Sequence, residues 1–264
     1  MILPLVKDFF SRLEADPALD AALSSLRWGS RAVPLAGLTP TAKSLAVAMV
    51  ARSLGRPVFF LVESNRAAEN YFDALRFFYT VLTGKAETGV GYLPAHDVLP
   101  YQELSPHPEI AEARAVALAR LAAGQLALVV TPVVAARLRL REPEFYSALS
   151  LPIEKDQELP LENLVKHLNR VGYERHEPVE MVGQFSVRGG IVDVFSPESR
   201  RPLRLELFGD TVESLREFDP GTQRSVGPME RATVLPLTDY PAGPEGMGEA
   251  GGEVGGGEGL PLYP

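Results

Sequence analysis

Gly37, Lys43 and Ser44 occupy three positions of the phosphate-binding pattern G-x-x-x-x-G-K-[ST], in the stretch GLTPTAKS. A working loop of this kind closes backbone N–H groups around phosphates at a helix N-terminus. Lys43 would reach the terminal phosphates, and Ser44 would hold magnesium. Two residues oppose that use. Ala42 replaces the second glycine and adds a Cβ where the backbone must pack tightly, and Pro40 removes an N–H donor. Hydrolysis also needs an acidic residue for magnesium at the end of an apolar strand. The strand ALVVTP ends instead in Thr131-Pro132. The loop residues Gly37, Thr41, Ala42, Lys43 and Ser44 therefore read as a degenerate nucleotide loop that keeps a strand–helix corner. Weak phosphate binding through Lys43 and Ser44 stays open as an alternative.

Other catalytic chemistry finds little support. The chain has no cysteine, which excludes disulfide scaffolds, thiolate zinc sites and thiol nucleophiles. His96, His107, His167 and His176 show no ligand spacing, and no G-x-S-x-G elbow occurs. No catalytic residue, metal or cofactor is expected for these residues. The formal net charge of −8 over 264 residues argues against bulk attachment to DNA or an anionic membrane. The segment MILPLVKDFF lacks a signal-peptide pattern, and no apolar run reaches the ~20 residues of a membrane span. The expected location is cytoplasmic, with no membrane partner.

The second half carries a different signal. Arg188, Arg204, Glu206 and Arg216 alternate with apolar residues in SVRG, PLRLELF and ESLREF. Residues two apart on a strand share a face, so Arg204 and Glu206 point the same way, opposite the core. Such a face reads either as an ordinary solvated surface or as a partner site, since arginine and aromatic side chains are enriched at interface hot spots.

The elements that must position these groups fall into two patterns. Helical periodicity covers 3–14 and 17–26. RAVPLAG (31–37) reads as a buried strand ending at the loop, TAKSLAVAMVARSL (41–54) as a helix stopped by Gly55, and PVFFLVE (57–63) as a strand covered on both faces. Ser64 caps a helix running to about Tyr79, and ALVVTP (127–132) is a further buried strand followed by a helix from Pro132. Strands alternating with helices mean a parallel α/β sheet. The segment 97–124 reads as a proline-punctuated loop feeding an amphipathic helix, placed either over the sheet edge or against nucleic acid or a partner. From about residue 150 the pattern becomes one helix (159–173) and short strands, with a hairpin signal at Gly209-Asp210 and a turn at Asp219-Pro220-Gly221-Thr222. The tail 242–259 holds nine glycines and four glutamates and reads as a flexible linker. The expected organisation is a parallel-sheet domain over 1–150, an α+β antiparallel-sheet domain over 151–241, and a linker over 242–264, in a chain that is a fragment of something longer.

The stretches LPYQELSPHPEIAEARAVALARL and GQFSVRGGIVDVFSP…PLRLELFGDTVESLREFDPGTQRS resemble the bacterial transcription-repair coupling factors (Mfd). The second stretch is also similar to the excision-repair protein UvrB. The resemblance covers about 90–240, and the α/β half fits around it. It implies a fold class of α/β type: a P-loop-NTPase-like, degenerate motor domain followed by the antiparallel domain by which these proteins dock on the ATPase UvrA. Carried over by motif, the UvrA-binding residues would be Arg188, Arg204 and Glu206, with Phe195 and Arg175 as weaker matches.

The resemblance thus implies a UvrA-recruiting adaptor that links stalled RNA polymerase to nucleotide excision repair. The RNA polymerase and double-stranded DNA contacts, and the ATP-driven translocase, would belong to further domains. Two other readings compete. One is a UvrB-like nucleotide-dependent repair helicase subunit, opposed by the missing acid motif. The other is a DNA-binding module acting through the loop 97–109, opposed by the acidic net charge.

Overall fold

A computed structural model describes residues 10, 12–13, 16–84, 89–98 and 106–241. Most of the expected helix 3–14, the tip of the loop 97–109 and the expected linker lie outside the described residues. The chain forms two compact units that are interleaved in sequence: residues 1–95 with 124–138, and residues 96–123 with 139–264.

In the first unit, β1 (Val58–Val62), β2 (Val90–Tyr92) and β3 (Leu128–Pro132) form a parallel sheet in the order β1–β3–β2. The central β3 is buried at every position, which is why LVVTP can be apolar without alternation. Three helices precede or connect these strands: α1 (Pro17–Arg27), α2 (Pro40–Leu54) and α3 (Asn65–Thr83). Each starts on a side-chain cap, supplied by Asp16, Thr39 and Ser64. Helices α2 and α3 end on Gly55 and Gly84, both left-handed. Fully buried Ala48 and Ala68 leave room for the larger Leu75, Tyr79 and Leu128 in one core.

Two expectations for this unit do not hold. Residues 31–37 form no strand, and all but one of them are exposed. Pro34 offers no amide to a ladder, and no neighbouring strand is paired with the segment. Strand β1 is an edge strand with one open face, where Phe59 is 48% and Leu61 50% exposed, rather than a strand covered on both sides. The short α5 (Val133–Ala136) follows β3 where a helix was expected.

The second unit contains α4 (Pro108–Ala122), α6 (Pro143–Ser147), β4 (Leu151–Glu154) and α7 (Leu161–Arg170). A six-stranded sheet follows, in the order β10–β9–β8–β7–β6–β5. Its strands are β5 (Glu174–Arg175), β6 (Gln184–Arg188), β7 (Ile191–Val194), β8 (Leu203–Phe208), β9 (Thr211–Phe218) and β10 (Ser225–Met229). All pairings are antiparallel except β5 with β6. The predicted strand ATVLPL lies outside this sheet: β11 (Arg231–Val234) pairs with β4 in a separate two-stranded ribbon. The β8–β9 hairpin closes at Gly209-Asp210, with Gly209 at φ +60. Asp219 fastens the following turn by accepting from the amide and hydroxyl of Thr222. Period-two alternation sends Phe185, Val192, Val194, Leu203, Leu205 and Leu215 to the buried face.

After β11 the chain runs back across this unit as a strap. The Leu235 amide donates to Ser196 Oγ, and its carbonyl accepts from Tyr173 Oη. Leu237 sits against Gly172 and Gly183. Asp239 receives a hydrogen bond from Arg114 of α4 at 3.0 Å, and Tyr240 stacks at an angle near His96. A second ion pair, Arg120 with Glu198 at 2.8 Å, joins α4 to the loop after β7.

Candidate interaction site on the antiparallel sheet

The face of the sheet opposite its apolar side carries a row of polar residues set by strand register. Ser186 pairs with Asp193, Asp193 with Arg204, and Arg204 with Arg216. Asp193 is 1% exposed and is the centre of the row. Arg204 meets it in a two-pronged geometry, Nε to Oδ1 at 2.7 Å and Nη2 to Oδ2 at 2.8 Å. The remaining prong of Arg204 donates to the Gln223 carbonyl at 3.2 Å, and its guanidinium lies 4.4 Å from the Phe218 ring centroid. Hydrogen bonding to Asp193 pushes the Arg204 pKa above its already high ordinary value, so the guanidinium stays charged throughout the physiological range.

Arg188 reaches the same carboxylate from the end of β6, Nη2 to Oδ2 at 2.7 Å. Its side chain is 41% exposed, and its Nε lies 3.8 Å from Glu177. Glu206, one step beyond Arg204 on β8, accepts from Ser214 Oγ at 2.6 Å and from Arg216 Nη2 at 3.1 Å. The turn Gly189-Gly190 brings these strands close. A Cβ on Gly190 would lie 2.5 Å from the Leu207 carbonyl oxygen, so only glycine fits there without moving β8.

Arg188, Arg204 and Glu206 are thus gathered on one face. Arg175 sits on the adjoining β5, exposed, donating to the Val187 carbonyl at 3.2 Å. Phe195 is not gathered with them: it lies past the far end of β7, half-buried, with its backbone bonded to Gln184 and Gly183.

Two residues were missed by sequence reasoning. Asp193, hidden in the apolar run IVDVF, is the charge that Arg188 and Arg204 share. Phe208 is 79% exposed at the end of β8, on the same face as Arg204 and Glu206. Its signal was its phase, an aromatic residue at a position where the LRLELF alternation places polar ones.

The loop at the start of α2 is arranged differently from a phosphate cradle. Gly37 takes φ +76, and Thr39 Oγ1 accepts from the Ala42 amide, closing the helix end on itself. Thr41 is exposed at the first turn. Ser44 is 1% exposed, and its hydroxyl donates to the Pro40 carbonyl. The Lys43 ammonium lies 5.9 Å from the Tyr71 ring centroid. Among the described residues no cluster of His, Asp and Glu could hold a metal ion, and no helix is long and apolar enough to cross a membrane.

Residues 151–240, which contain the whole polar face, match the UvrB interaction domain. The chain is similar to the transcription-repair-coupling factor of Myxococcus xanthus, 35% identical over 218 residues, covering 82% of this chain and 18% of that protein. It is also similar to the Bacillus subtilis coupling factor, 29% identical over 223 residues, covering 84% of this chain and 18% of that protein. The UvrABC system protein B of Thermus thermophilus is 29% identical over 244 residues, covering 88% of this chain and 36% of that protein. The chain therefore spans under a fifth of the coupling factors and just over a third of the UvrB protein. Residues 151–240 are thus a UvrB interaction domain, carried on a chain that is similar over most of its length to both transcription-repair-coupling factors and UvrABC system protein B.

Proposed function

We propose that this chain is the UvrA-docking module of a transcription-repair-coupling factor and that it acts as an adaptor in nucleotide excision repair. The observation that carries this is a half-exposed, anchored arginine, Arg188, on the same sheet face as the exposed Phe208. Arginine and aromatic residues held in place before binding lose little entropy on docking, which is the usual make-up of an interface hot spot. On this reading the RNA polymerase and DNA contacts belong to other parts of the longer protein, which is cytoplasmic. The first unit descends from a P-loop motor domain and binds no nucleotide. The self-capped α2 and the inward-bonded Ser44 support that lineage without activity.

The test is a calorimetric titration of UvrA into the 264-residue chain. Arg188→Ala and Phe208→Ala should each weaken binding by about 2 kcal/mol or more, roughly 30-fold in Kd. ATP with magnesium titrated into the chain alone should give no binding heat. Unaltered affinity in both variants would refute the docking surface.

A further inference from the structure

We infer that Asp193 is a positioning residue of this docking surface: it holds Arg188 in its binding pose, while Arg204 locks Asp193 itself in place. The inference rests on the docking reading above. Asp193 is 1% exposed, so its carboxylate presents almost no surface to a docking partner. Its two oxygens divide unequally between the arginines. Arg204 takes both, adds the Gln223 carbonyl and the Phe218 ring, and is 14% exposed, so its whole guanidinium is committed inside the chain. Arg188 takes one oxygen with one nitrogen and keeps 41% of its side chain in solvent. Its outward N–H groups form a fork that suits a carboxylate.

Glu177, itself 58% exposed, lies 3.8 Å from the Arg188 Nε, so a docking carboxylate would compete with it for the fork. The partner group that suits that fork is an acidic side chain. Without the Asp193 anchor, a long flexible arginine would have to be ordered at the moment of binding, at a cost in affinity.

Asp193→Asn separates these roles. The amide keeps the shape of the side chain but turns one acceptor into a donor that faces an arginine N–H. Arg204 has other contacts and stays. Arg188 has one short bond to lose and keeps only the 3.8 Å approach to the exposed Glu177, which is too long to fix its pose. Asp193→Asn should then weaken UvrA binding roughly tenfold, the worth of one charge-assisted hydrogen bond. In an Arg188→Ala background the same substitution should cost nothing further, a non-additivity that general destabilisation would not produce.

Wild-type affinity in Asp193→Asn, with Arg188→Ala still weakened, overturns the positioning role and spares the docking reading. Equal losses from Asp193→Asn in both backgrounds also overturn it. Wild-type affinity in both Arg188→Ala and Phe208→Ala refutes docking itself. If Asp193→Asn fails to fold, Arg188→Lys decides. One ammonium cannot hold Asp193 and present a fork to the partner, so it should bind as poorly as Arg188→Ala. Wild-type affinity in Arg188→Lys would overturn the inference.

Discussion

Replacing Asp239 with alanine should loosen the strap and the α4 helix together. The Arg114 side chain is 2% exposed and that of Asp239 is 4% exposed, with Nε and Oδ2 3.0 Å apart. Desolvation of both charges is already complete in the fold. Removing the carboxylate therefore takes from a buried guanidinium the ion pair that offsets much of that cost. Breaking such a pair typically costs about 3–5 kcal/mol. At about 2–4 °C per kcal/mol for a chain of this size, the midpoint should fall by about 6–20 °C. Thermal melting followed by circular dichroism gives the size. Hydrogen exchange read by mass spectrometry gives the place: protection should fall first in peptides from 108–122 and 235–241. The double variant Arg114→Met/Asp239→Leu should recover most of the loss, because apolar side chains of similar volume carry no desolvation cost. A drop below about 2 °C in Asp239→Ala, or a double variant less stable than the single, would refute the reasoning.

Acidification should destabilise the fold through two histidines. Burial, reinforced by the Arg114 charge and opposed by Asp239 and Asp97, holds the His96 pKa below the ordinary 6.5; burial also lowers that of His167, with a backbone hydrogen bond to Leu149 opposing. Below about pH 6.5 the unfolded chain takes up protons that the folded chain refuses, so stability is lost as pH falls. The urea midpoint should decline from pH 7.5 to 5.5, and His96→Phe/His167→Leu should flatten that decline; an unchanged slope contradicts the assignment. Separately, Gly190→Ala should push β8 away at the Leu207 carbonyl, lowering both the melting midpoint and UvrA affinity. Full wild-type affinity in that variant would show that the turn is not part of the docking geometry.

Much of this fold was legible because it is local. Ser64 and Gly55 mark helix ends by chemistry that acts within one turn. The alternation in LRLELF put Arg204 and Glu206 on one face without knowledge of their neighbours. What failed depended on distant chain. RAVPLAG has strand composition, but a strand exists only if another strand pairs with it. Asp193 carries no local mark of its role, since its two arginines arrive from β6 and β8. The strap is bound to α4 by residues 125 positions apart, a contact no periodicity announces.

The chain crosses between its two units after Ala95, Ala123 and Leu138. That thread makes the docking sheet hard to transplant. A gene break anywhere between 123 and 151 would part Arg114 from Asp239 and Arg120 from Glu198, although the sheet itself would be inherited whole. Recombination that shuffles domains by cutting at sequence boundaries would deliver a sheet without its brace. The sheet is therefore expected to travel between proteins with the α/β unit attached; the similarity to the coupling factors and to the UvrB protein indeed extends over more than four-fifths of this chain.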